Sequence, residues 1–106
     1  MTAELWRNFK KTTKGKALRH AVYMRDSYTC VYCGKVGAQL TIDHIVARAN
    51  GGDIYDPCNM VTCCASCNSK KGAKSLVDFI EYAGLPYSTL SKVAAQSKAK
   101  IALDIA

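Results

Sequence analysis

The sequence predicts a small α+β domain, with a short cysteine-rich centre of strand and loops flanked by helices. Three observations predict it. The stretches "KGKALRHAVYMR" and "SLVDFIEYAGLP" place apolar residues at helical spacing. "QLTIDHIV" alternates as a strand does. Residues 30–72 are dense in Cys, Gly, Asn and Asp, so regular elements there must be short. At 106 residues the chain is one domain, or one domain with tails. A core of that size often needs a staple.

The elements follow in order. Residues 1–13 read as a basic lead-in, with a short helix over "ELWRNFKK". In the next helix Leu18, Val22 and Tyr23 share one face, while Arg19 and Arg25 lie elsewhere. On the strand, Leu40 and Ile42 point to the same side. Gly51-Gly52 marks a loop, and "CASCNSKKG" opens a helix. The "SLVDFIEYAGLP" helix ends near Gly84 and Pro86. Residues 89–105 predict a last helix with Leu90, Val93, Ala94 and Ile101 inward. No internal repeat or low-complexity linker interrupts the chain. The organisation is therefore a lead-in (1–13), a central domain (14–84) and a C-terminal helical extension (85–106).

The N-terminus lacks the apolar segment of a signal peptide, and no run reaches membrane-spanning length. The expectation is a chain of the cytoplasm that does not engage membranes. There disulfides are rare and paired cysteines read as metal ligands. "CVYCG" supplies Cys30 and Cys33, and "CASC" supplies Cys64 and Cys67. Two such pairs suit a tetrahedral Zn²⁺ site, and four thiolates close it, so its role is structural. Gly34 follows the first pair, where a positive φ turns backbone N–H groups toward the sulfurs. The bland reading, four buried free cysteines, is weakened by the matched spacing. Cys63 competes with Cys64 as a ligand, but only Cys64 stands at C-x-x-C spacing from Cys67. Cys58 and Cys63 are read as small, partly buried side chains.

The chain carries 15 basic and 8 acidic residues, a formal charge of +7. This excess suits a polyanionic partner, nucleic acid foremost, although a basic protein without such a partner has the same composition. Candidate phosphate contacts are Arg25, Arg48, Lys70, Lys71 and Lys74, together with Lys14, Lys16 and Arg19. Each taken singly also reads as a solvated surface charge. With no recognition helix evident, any sequence preference is expected to be weak or short.

Between the cysteine pairs lies "IDHI". His44 is the only histidine besides His20, and Asp43 stands beside it. Asn59 follows fifteen positions later, and Asn68 comes directly after the last cysteine. A neutral imidazole with a pKa near ~6.5 suits a general base at neutral pH. Taken alone, Asn59 also fits a turn after Pro57, and Asn68 fits a helix N-cap.

The order C-x-x-C-G, D-H-I, G-G, N-M-V and C-x-x-C-N-x-x-K-G resembles the HNH endonucleases, over roughly residues 18–72. The third motif position is Asn68 rather than histidine. This H-N-N form is similar to that in the HNH domain of RNA-guided DNA nucleases. The resemblance implies a ββα-metal core and metal-dependent hydrolysis of DNA phosphodiesters. It implies His44 as general base, Asp43 and Asn68 as ligands of Mg²⁺ or Mn²⁺, and Asn59 as the residue that orients the histidine loop. It further implies 5′-phosphate and 3′-hydroxyl products and a bacterial or phage setting. Oxygen ligands suit hard cations and thiolates suit zinc, so the two metals separate by ligand softness.

One set of site residues implies nicking of one strand by a monomer or weak dimer. Adjacent strand residues point to opposite sides, so the backbone at Asp43 and His44 is expected to leave regular β geometry. Two rivals remain open: a non-catalytic zinc-stabilised nucleic-acid-binding module, and a degenerate nuclease fold used as a protein adaptor.

Overall fold

The computed structural model describes residues 2–37 and 39–101. Two helices lead the chain, α1 (Thr2–Phe9) and α2 (Thr13–Arg25). Strands β1 (Leu40–His44) and β2 (Met60–Cys64) follow, and then helices α3 (Ala65–Lys71), α4 (Leu76–Ala83) and α5 (Ser88–Lys98). The architecture is α+β, as expected. No helix among the described residues is long and apolar enough to cross a membrane.

The strands pair antiparallel, with Leu40 opposite Cys64, Ile42 opposite Thr62 and His44 opposite Met60. Every residue of β2 is buried, so its sequence "MVTCC" carries no alternation. One core cluster joins Tyr32, Val61, Cys63, Phe79 and Val93. The other joins Leu18, Val22, Ile42 and Met60, with Trp6, Phe9, Tyr23 and Ile101 packed against it. Thus α2, and α1 through Trp6 and Phe9, cover one side of the sheet, while α4 and α5 cover the other.

Helix α2 is capped by Thr12, whose hydroxyl accepts from Gly15 N at 3.0 Å. Helix α4 is capped by Ser75 and stops at Gly84, where the sequence places its end. The last helix is shorter than expected and closes at Lys98, because Ala99 turns to extended geometry. Within it Val93 is buried as expected, but Ala94 is exposed: it lies one residue round the helix from the inward face. The remainder of that expected helix, residues 102–105, and the tail end of the 85–106 extension lie outside the described residues.

Two corrections concern backbone and charge. The strand stays regular through His44, which still pairs with Met60. Departure from β geometry comes only after it, and the ladder's next bond runs from Ile45 N to Asn59 O at 2.8 Å. Arg25, expected on the surface as a phosphate contact, is an internal tie. Its guanidinium grips Asp26 through Nε at 2.8 Å and a second nitrogen at 3.0 Å. It also donates to the carbonyls of Pro57, Met60 and Ser97. Asp26 in turn accepts from Thr62 N at 2.8 Å and Gln96 Nε2 at 2.9 Å. The pair fastens the end of α2 to β2 and α5, which leaves the guanidinium no donor to spare for DNA.

Arg25→Ala strands Asp26 in the core, so it should lower the unfolding free energy by about 3–5 kcal/mol. A urea titration followed by circular dichroism measures this; an unchanged midpoint would put Arg25 back among the surface charges.

Candidate metal centre and active site

The four paired cysteines converge. Sγ atoms of Cys30, Cys33, Cys64 and Cys67 all lie within 4.8 Å of one another. Tetrahedral zinc with Zn–S bonds near ~2.3 Å needs sulfurs roughly 3.8 Å apart. Cys33 and Cys64 stand at 3.8 Å. The donor set and its spacing therefore fit one metal ion with four thiolates. Gly34 takes a φ of +80°, as expected, and its N–H bonds back to Cys30 O at 2.8 Å.

Helix α3 starts inside this knot, with Cys64 as its N-cap and Cys64 Sγ accepting from Cys67 N at 3.4 Å. Asn68 consequently sits within α3 rather than capping it. The two remaining cysteines differ from expectation in opposite ways. Cys58 is exposed on its turn, whereas Cys63 is fully buried beside the knot. The neighbouring Cys63 thiol draws the Cys30 thiol down to about 4 in spite of its burial. Burial raises Cys33 and Cys67.

Beyond the knot, a cleft of about 280 Å³ brings together Asp43, His44 and Asn68, with Trp6, Lys10 and Arg48 among its other walls. The cleft wraps the end of β1, so both neighbours on a regular strand reach it. His44 is half-buried. Its Nε2 lies 3.0 Å from Ile54 O, and since a carbonyl only accepts, Nε2 carries the proton and Nδ1 the free lone pair. Burial, with the nearby Lys71 charge, holds His44 below the usual histidine range. The Trp6 ring meets the imidazole edge-on at 4.5 Å.

Asn59 staples the loop that follows His44. Its Oδ1 accepts from Val46 N at 2.9 Å, and its Nδ2 donates to Val46 O at 3.0 Å and Asp53 O at 2.9 Å. Gly52 makes room for this closure, since a Cβ there would stand 1.8 Å from Val46 O. Asn59 thus ties Val46 and Asp53 together without itself lining the cleft.

Asp43 is buried at 4% exposure between two donors. Tyr32 OH donates to its Oδ2, and Lys71 Nζ lies 3.2 Å from the same oxygen. Oδ1 takes part in neither contact. Burial raises the carboxyl above the usual range, opposed by the Lys71 charge and the Tyr32 hydrogen bond.

Lys71 is the second correction among the phosphate candidates. It is fully buried, and Nζ donates to His44 O at 3.1 Å and Ile45 O at 3.0 Å. Arg48 and Lys70 remain exposed. Lys74 is exposed too, bonding Lys70 O and lying over the Tyr82 ring at 4.5 Å. Sequence reasoning missed Tyr32, Trp6 and Lys10. Tyr32 carried a weak signal, standing between two metal-binding cysteines.

Residues 30–74 match the HNH endonuclease family. The HNH segment takes in both cysteine pairs, the hairpin and α3, and spans less than half of the chain. It leaves out α1, α2, α4 and α5. Among curated proteins the comparison finds no match. The four-cysteine cluster fits a metal site, and the HNH match points to a nuclease- or nucleic-acid-related role.

Cys33→Ser or Cys67→Ser should leave the protein largely unfolded or insoluble, because structural zinc contributes about 10–16 kcal/mol of apparent binding energy in zinc-finger peptides. Elemental analysis of the wild type should find one zinc per chain. Metal-free protein that stays equally folded in strong chelator would contradict a structural metal.

Proposed function

We propose that this chain is a metal-dependent DNA endonuclease that hydrolyses phosphodiester bonds and nicks one strand. The observation that carries the reading is the meeting of Asp43, His44 and Asn68 in one cleft, with the His44 imidazole already oriented by Ile54 O.

His44 Nδ1 takes a proton from water as the water oxygen bonds to phosphorus. The bond from phosphorus to the 3′ oxygen breaks, and that oxygen gains a proton from solvent. The family resemblance supports this direction of cleavage, which leaves 5′-phosphate and 3′-hydroxyl ends. The depressed pKa of His44 keeps the imidazole neutral and able to accept. Trp6 and the Ile54 carbonyl restrict ring rotation, so the lone pair keeps its aim.

Asp43 Oδ1 and the Asn68 amide oxygen are the groups in this cleft that would hold Mg²⁺ or Mn²⁺. The pair fits a hard cation, having oxygen donors and no sulfur. Such an ion supplies charge stabilisation at the scissile phosphate. Lys71 and Tyr32 keep the Asp43 carboxylate from turning, so Oδ1 is presented in one direction. Arg48, on the cleft wall, and exposed Lys70 and Lys74 are placed to contact the DNA backbone.

His44→Ala should cut turnover about 10²–10⁴-fold while zinc content and fold persist. Near wild-type cleavage of plasmid by this variant would remove His44 from the mechanism. Plasmid that is bound but never cut by the wild type would favour the zinc-stabilised binding module instead.

Cleavage should depend on Mg²⁺ or Mn²⁺, with open circles accumulating from supercoiled plasmid well before linear DNA at low enzyme concentration. Best activity with Zn²⁺ or Ni²⁺ would displace the Asp43–Asn68 ligand assignment, and direct conversion to linear DNA would reveal paired sites.

A further inference from the structure

The cleft does not end at Asn68. A second cavity of about 440 Å³ adjoins it, and the two share Trp6, Lys10, Thr41, Ile42 and Asn68 in their walls. Past Asn68 the lining passes to Arg19, Tyr23, Gln39 and Ser69. None of the described residues lining this second cavity is acidic, while Lys10 and Arg19 are both basic. Its far wall comes from α1, α2 and the turn between them, outside the matched HNH segment.

Arg19 and Arg25 stand on the same helix and differ in what they meet. Arg25 spends its guanidinium on Asp26 and three carbonyls. Arg19 donates to Lys10 O at the long distance of 3.3 Å. Its Nε is the one buried side-chain nitrogen or oxygen without a hydrogen-bond partner among the described residues. A guanidinium has five donors, and leaving a charged donor unmatched away from water is costly. A structural arginine would resemble Arg25. An arginine left short of acceptors at the wall of a basic cavity is suited to an anion that arrives from outside.

We propose that the second cavity is a subsite for the phosphate next to the scissile one on the same nucleic-acid strand. Arg19 and Lys10 are its anion-binding groups. The position of the subsite relative to the reaction rests on the nuclease reading of the first cleft. Continuity past Asn68 gives a strand a path from one cavity to the other. Trp6, in both walls, and Tyr23, in the second, offer apolar ring surface to the sugar or base between the two phosphates. The N-terminal helices would then be a working wall of the enzyme, serving to place the strand.

The test uses full-length protein carrying His44→Ala, with zinc retained and Mg²⁺ present, titrated by nuclear magnetic resonance with TpT and TpTpT. TpTpT should bind about tenfold more tightly than TpT, the gain expected of a charge-assisted contact. It should also move the Arg19 Nε–Hε signal, which TpT leaves in place. Adding Arg19→Gln should reduce the preference to about twofold, the statistical factor for two registers, and Arg19→Lys should restore part of it. An unmoved Nε signal, or a tenfold preference that survives Arg19→Gln, would overturn the subsite. Should Arg19→Gln fail to fold, the signal in the parent protein decides. A moved signal in a protein whose wild type never cuts DNA would sink the nuclease reading and leave the subsite standing.

Discussion

A single buried ammonium holds the candidate site in register. Lys71 Nζ bonds the carbonyls of His44 and Ile45, where β1 runs out of strand partners, and it pairs with Asp43. Those carbonyls would otherwise be left without donors in a buried place. The charge is tolerated at zero exposure because three oxygens surround it. Asn68 stands three residues earlier on α3, on the same helical face. Fixing Lys71 to the strand end therefore also fixes where Asn68 lies relative to His44.

The rest of the structure serves to keep that strand end and that helix still. The cysteine knot sets where α3 begins. The Asn59 amide shapes the loop leaving His44, and Ile54 on that loop returns to hold the imidazole. The Arg25–Asp26 pair secures β2 from behind through Met60 and Thr62. Each tie acts on a different piece of backbone, and all of them converge on β1, β2 and the start of α3.

Much of this was legible in the sequence. The cysteine spacing located the knot, "IDHI" located the cleft, and the apolar spacing of "SLVDFIEYAGLP" with its stop near Gly84 located a helix. What escaped was whatever depends on burial. Lys71 and Arg25 read as surface charges because a sequence shows the charge and not its surroundings. Strand β2 escaped because a strand buried on both faces loses the alternation that reveals strands. Asp43 and His44 reach one cleft without any break in the strand, because the cleft curls round the strand end, a shape no local pattern encodes. Trp6 touches His44 across a sequence gap that only tertiary packing closes.

The ties around the loop are nested. The Asn59–Val46 contacts span 13 positions, the hairpin ladder encloses them, and the Cys33–Cys64 approach spans 31 and encloses both. Closing a loop costs entropy that grows only slowly with length, about 0.6 kcal/mol per doubling, and a ring already closed inside shortens the chain left to search. Loop-closure entropy thus favours assembly from the inside outward: turn, then ladder, then sulfurs. On that order the sulfurs meet last, and a metal ion held by them would be what keeps the assembled hairpin from reopening.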